Sequence, residues 1–101
     1  TGKSFPEDLF SYSNTFLIDA YSEGEFGGTG ICSDWESFSA LQNSFSIKKW
    51  ILAGGLSPEN IRLAIKSTNA EIVDVNSGVE RSPGVKDFVK LKKFFSEISL
   101  I

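Results

Sequence analysis

Trp50-Ile51-Leu52-Ala53-Gly54-Gly55-Leu56-Ser57-Pro58-Glu59-Asn60 decides the fold. An apolar run closed by two glycines reads as a buried strand. Ser57-Pro58-Glu59-Asn60 then reads as a helix start, because Ser caps, Pro suits the first helical position and Glu favours the positive end of the helix. Ile61, Ala64 and Ile65 follow at helical spacing. Outward from this unit, Ile72-Val73-Asp74-Val75 is a second buried run, closed by Asn76-Ser77-Gly78, and Phe16-Leu17-Ile18-Asp19-Ala20 is an earlier one, ending in a carboxylate. The run starts lie 34 and then 22 residues apart, which leaves room for a loop and a helix between strands, as parallel βαβ units require. Ser33 or Asp34 can cap a helix containing Phe38 and Leu41. Phe88, Leu91, Phe95 and Ile98 mark a final helix with lysines between them, and Phe5 to Tyr12 reads as the end of an earlier helix.

The chain has 101 residues, 41% hydrophobic and 23% charged, enough to bury a core. Ten Lys+Arg against thirteen Asp+Glu give a net charge of −3, which argues against nonspecific nucleic-acid binding. No apolar run reaches the roughly 20 residues of a membrane span, and no charged leader precedes an apolar segment, so a cytoplasmic protein without membrane partners is expected. One cysteine excludes an internal disulfide framework, and the absence of histidine removes the Ser-His-Asp triad and most zinc constellations. Three parallel strands make a poor independent domain, with both sheet edges open and both faces needing cover. A doubly wound sheet of this size is meagre. A piece of a (β/α)8 barrel, which runs to about 200 residues or more, explains the pattern better. Residues 1–101 are therefore expected to be the carboxyl-terminal part of a single barrel domain, and the Thr-Gly-Lys start is read as lying inside a longer polypeptide.

In parallel α/β folds, ligands sit beyond the carboxyl ends of the strands. Gly54, Gly55, Ser77 and Gly78 close consecutive strands and are candidates for a shared phosphate cradle, in which glycine lets the backbone approach an anion. A short helical turn after Gly78 would add its positive end. Gly27-Gly28-Thr29-Gly30 is not a P-loop, because no Gly-Lys-Ser/Thr follows, and suits a lid over substrate or a plain surface connection. Asp19, a carboxyl at a barrel mouth with few cations near it, is the candidate acid–base group. Asp74 faces the barrel interior by alternation, where bonding to polar groups is the expected role. Cys32 has no evident activating neighbour and reads as inert. Trp35 and Trp50 read as core residues.

Taken together, these blocks resemble the carboxyl-terminal part of the phosphoribosylanthranilate isomerases of tryptophan biosynthesis. The resemblance is carried, from about Phe16 to the end, by Leu17-Ile18-Asp19, by Gly27-Gly28-Thr29-Gly30 with Asp34-Trp35, by Leu52-Ala53-Gly54-Gly55-Leu56-Ser57-Pro58-Glu59-Asn60, and by Val73-Asp74-Val75-Asn76-Ser77-Gly78-Val79-Glu80 with Ser82-Pro83-Gly84-Val85-Lys86-Asp87. It implies a (β/α)8 barrel of which this chain carries strands six to eight, an Amadori rearrangement of a phosphosugar substrate, and no cofactor or metal. It puts the family's general acid on Asp19, the phosphate contacts on Gly54, Gly55, Ser77 and Gly78, and the lid on Gly27, Gly28, Thr29 and Gly30. The family's base is a cysteine on the first strand, a motif without a counterpart in this chain, and Cys32 sits in a different motif. Ile31 and Ser33 stand where the family has a basic or amide residue and an aromatic one. The expected partner is the amino-terminal part of the barrel, on the same or a separate chain. The rival expectation is a non-catalytic, phosphate-binding or structural half-barrel that self-associates.

Overall fold

A computed structural model describes residues 6–20 and 33–101. Gly27, Gly28, Thr29, Gly30 and Cys32 lie outside the described residues, as does the start of the chain. The fold is α/β. A 3-10 turn (Glu7–Ser11) leads to β1 (Thr15–Asp19), α1 (Ser33–Ser44), β2 (Lys49–Ala53), α2 (Ile61–Thr68) and β3 (Ile72–Val73). A second 3-10 turn (Ser77–Val79) follows, then β4 (Glu80–Ser82), β5 (Val85–Lys86) and α3 (Phe88–Ser99). β1, β2 and β3 form one parallel sheet with β2 in the centre, and β4 and β5 form a separate antiparallel hairpin.

Alternation along the strands sorts their side chains onto two faces. Trp50 and Leu52 of β2 are buried, and Phe16, Ile18 and Val73 pack with them against Trp35, Phe38, Ile61, Ala64 and Phe94. Both tryptophans are therefore core residues, as expected. Among the described residues, no element covers the opposite face. The register aligns Leu17 with Ile51 and Ile51 with Ile72, and Leu17 is 52% exposed and Ile72 38%. Two residues on, Asp19 stands beside Ala53 in the register, and the Asp74 N–H donates to Leu52 O at 2.9 Å. One row of the bare face is thus apolar, and the row above it carries two carboxylates.

Four details differ from the sequence reading. The ladder of β3 ends at Val73, not Val75, because an edge strand with a neighbour on one side only turns away towards the Ser77–Val79 turn. That turn contains Gly78 and does not follow it. The helix after Gly55 begins at Ile61, and Asn60, not the Ser57 hydroxyl, organises its start. The Asn60 side chain accepts from the Ser57 N–H at 2.8 Å and donates to Gly55 O at 2.8 Å. In α3 the buried residue is Phe94, with Leu91 and Ile98 beside it, while Phe88 is 88% and Phe95 64% exposed. The side of α3 that packs inward keeps Leu91 and Ile98 of the expected stripe but has Phe94 in place of Phe95.

A sheet whose described residues leave one face largely apolar and exposed favours association. The isolated chain is expected to be oligomeric or aggregation-prone at low concentration by light scattering. A monodisperse monomer with a cooperative melt would contradict this reading of the fold.

Candidate functional site

The carboxyl ends of the three parallel strands open into one cavity of about 270 Å³. Its lining includes Leu17 and Asp19 from β1, Ala53, Gly54, Gly55 and Leu56 after β2, and Asp74, Asn76, Ser77 and Gly78 after β3. The described candidate site residues, Asp19, Gly54, Gly55, Ser77 and Gly78, therefore share one concavity although they are scattered over some 60 positions of sequence. Asp19 is exposed. It faces Asp74 across β2, two strand spacings away, or roughly 10 Å between backbones.

The two loops of the cavity are built differently. After β2 the chain reverses through Gly54 at φ 95° and Gly55 at φ 64°, a region that L side chains rarely adopt. The two hydrogen bonds of Asn60 then tie this loop to the start of α2. After β3, Gly78 rests directly on the backbone of the first loop. A Cβ there would overlap Leu56 O and lie 2.9 Å from Leu56 C and 3.0 Å from Ser57 Cα. Gly78 thus joins loop to loop, a role that a sequence reading based on anion approach does not supply.

Asp74 and Asn76 sharpen the site. The Asn76 side chain donates to Asp74 Oδ2 at 3.0 Å, and the two residues line the cavity as a pair. Behind them, Lys86 Nζ donates to Glu80 Oε2 at 2.8 Å and to Asn76 O at 3.3 Å. The Lys86 hydrogen bond holds the Glu80 carboxyl below its ordinary range against an opposing effect of burial, and the Gly84 N–H adds to the lowering. Asn60, Lys86 and Glu80 were not singled out from the sequence. The Pro83-Gly84 pair is the turn signal that could have located the hairpin carrying two of them. Among the described residues, no group of three or more His, Cys, Asp or Glu is placed to share a metal ion, and no helix is long and apolar enough to cross a membrane.

The family model described as N-(5'phosphoribosyl)anthranilate (PRA) isomerase matches residues 7–97. The N-(5'-phosphoribosyl)anthranilate isomerase of Synechococcus elongatus is 45% identical over 86 residues, which are 85% of this chain and 38% of that protein. Phosphoribosyl anthranilate isomerase from Thermotoga maritima superposes with a TM-score of 0.69 at 33% identity, covering 94% of this chain and 45% of that one. A phosphoribosyl anthranilate isomerase in complex with reduced 1-(o-carboxyphenylamino)-1-deoxyribulose 5-phosphate superposes with a TM-score of 0.64 at 29% identity, over 94% of this chain and 42% of that one. The α/β fold is accordingly of the TIM-barrel type, and the chain spans about two fifths of the length of the curated relatives it matches.

The seat of Gly78 yields a direct prediction. Gly78→Ala must force the two loops apart, at a cost of about 1–3 kcal/mol as for other overpacked sites. Thermal melting of the assembled protein measures it. A variant as stable as the parent would show that the loops separate freely.

Proposed function

The chain belongs to the N-(5'-phosphoribosyl)anthranilate isomerase family, and from that premise we propose that it supplies the general acid and the phosphate loops of that isomerase within a larger (β/α)8 barrel. The observation that carries the proposal is the single cavity in which Asp19 meets the two glycine loops. In this reading β1, β2 and β3 are strands six, seven and eight, and residues 1–101 are the carboxyl-terminal part of one barrel domain. The bare Leu17–Ile51–Ile72 row and the exposed Phe88 and Phe95 of α3 support it. An apolar row on a parallel sheet and an apolar helix flank are the surfaces that further strands and helices would cover. The covering partner is the amino-terminal part of the barrel, in the same polypeptide or a separate chain.

The substrate is the phosphosugar N-(5'-phosphoribosyl)anthranilate and the product 1-(2-carboxyphenylamino)-1-deoxyribulose 5-phosphate. The phosphate seats between the Gly54-Gly55 loop and Ser77-Gly78, where main-chain N–H groups and the Ser77 hydroxyl can donate to it. That contact holds the ribose against Asp19. Asp19 gives a proton to the ribose ring oxygen as the C1′–O4′ bond breaks and the anthranilate nitrogen forms the Schiff base. A base from the covering part of the barrel then takes the C2′ proton, and the resulting enol-amine tautomerises to the ketone. The proton that Asp19 gives up is balanced by the one the base takes, so the net reaction is an isomerisation. No redox partner is consumed, and the proposed chemistry asks for no cofactor.

The test is Asp19→Asn in the barrel reconstituted with an amino-terminal half. The amide keeps shape and hydrogen bonding but cannot give up a carboxyl proton. Turnover is expected to fall by about 100-fold or more with KM nearly unchanged, while Cys32→Ser leaves the rate close to the parent's. Near-normal turnover in Asp19→Asn, or its abolition in Cys32→Ser, would overturn this assignment of the acid–base pair.

A further inference from the structure

The β4–β5 hairpin lies outside the parallel sheet, yet its Lys86 reaches Asn76, a residue that lines the cavity. We infer that this hairpin is a clasp on the loop after β3: Lys86, held by Glu80, fixes Asn76, and Asn76 in turn orients Asp74. Lys86 and Glu80 are then positioning residues for the anion cradle. The inference rests on the phosphate reading of the cavity given above.

The links are continuous. Lys86 Nζ binds Glu80 Oε2 at 2.8 Å and Asn76 O at 3.3 Å, and Asn76 binds Asp74 Oδ2 at 3.0 Å. The hairpin itself is locked at both ends. Gly84 N–H donates to Glu80 Oε1 at 3.3 Å, Asp87 N–H donates to Val79 O at 2.8 Å, and Lys90 Nζ donates to Glu80 O at 2.8 Å. Asp87 caps α3 by accepting from Val89 and Lys90 N–H groups at 2.9 and 3.0 Å, so the hairpin is anchored to a helix whose Phe94 is in the core. A loop that must present donors to an anion gains from being fixed beforehand, because displacements of about 1 Å cost binding and rate. The alternative is that Lys86 contacts the anion itself. Lys86 does not line the cavity, and its ammonium is already engaged by a carboxylate and a carbonyl.

The two roles predict opposite signs for one isosteric change. Glu80→Gln removes a negative charge near an anion site. If Lys86 acts by charge or direct contact, phosphate binding tightens. If the hairpin is a clasp, Lys86 is released and binding weakens. The experiment measures the Kd of inorganic phosphate by calorimetry, and KM and kcat, in the barrel assembled with an amino-terminal half. Glu80→Gln and Lys86→Met are each expected to weaken phosphate and raise KM by about 10-fold, with kcat falling less, and Lys86→Arg is expected to restore most of the loss. Unchanged or tighter phosphate binding in a folded Glu80→Gln overturns the clasp. If Lys86→Met does not fold, the near-isosteric Glu80→Gln still decides. An assembled barrel that binds phosphate without isomerising its substrate refutes the isomerase reading and leaves the clasp to be judged on phosphate affinity. A barrel that binds no phosphate removes the cradle and the clasp together.

Discussion

A parallel sheet has to be covered on both faces, and the helices of this chain cover one. The constraint organises the rest of the molecule. On the covered side, Trp50 and Leu52 are packed beneath Trp35, Phe38, Ile61 and Phe94. On the other side, the same alternation that buries Leu52 leaves Ile51 in a row with Leu17 and Ile72, and sets Asp19 and Asp74 above that row at the open end of the strands. The apolar row and the carboxylates are consequences of one register. A slip of one residue on β1 would send Leu17 and Asp19 to the helix side and carry Phe16 and Ile18 out of the core.

The cavity divides its work between backbone and side chains. Gly54 and Gly55 make the reversal after β2, and Gly78 lets the second loop lie on Leu56. The two loops are therefore packed on each other before any ligand arrives, which favours donors that act without reorganisation. Asp19 ends β1, and Asp74 lies just past β3, bonded to Asn76 of the second loop. A phosphosugar bridging the loops and Asp19 would have its charged end held by the loops and its reacting end beneath a proton donor.

Much of this was legible in the chain because punctuation and alternation are local. The run Trp50 to Ala53, the glycines after it and the turn before Ile61 located the central βα unit, and Asp19, Gly54, Gly55, Ser77 and Gly78 followed as strand ends. What escaped depends on contacts between distant residues. Helical spacing admits both Phe88–Leu91–Phe95 and Leu91–Phe94–Ile98, and only the position of α2 and the Ser77–Val79 turn decides that Phe94 is the buried one. That Gly78 must lack a side chain to clear Leu56 is likewise invisible in the sequence. Asn60 took the place expected for Ser57 because its longer amide side chain reaches both the Ser57 N–H and Gly55 O. The hairpin was signalled by Pro83-Gly84, but its link to the site runs through Lys86, a residue type that reads as solvated surface until its partners are known.

The central claim, that this chain is the acid- and phosphate-bearing part of a two-part barrel, is tested most directly by mixing. The chain is combined with an amino-terminal half of a family member carrying the first strands, and conversion of N-(5'-phosphoribosyl)anthranilate is followed alongside the mass of the complex. Turnover that appears only in the mixture, with a one-to-one complex, is the predicted result. A stable one-to-one complex that converts no substrate would contradict the account.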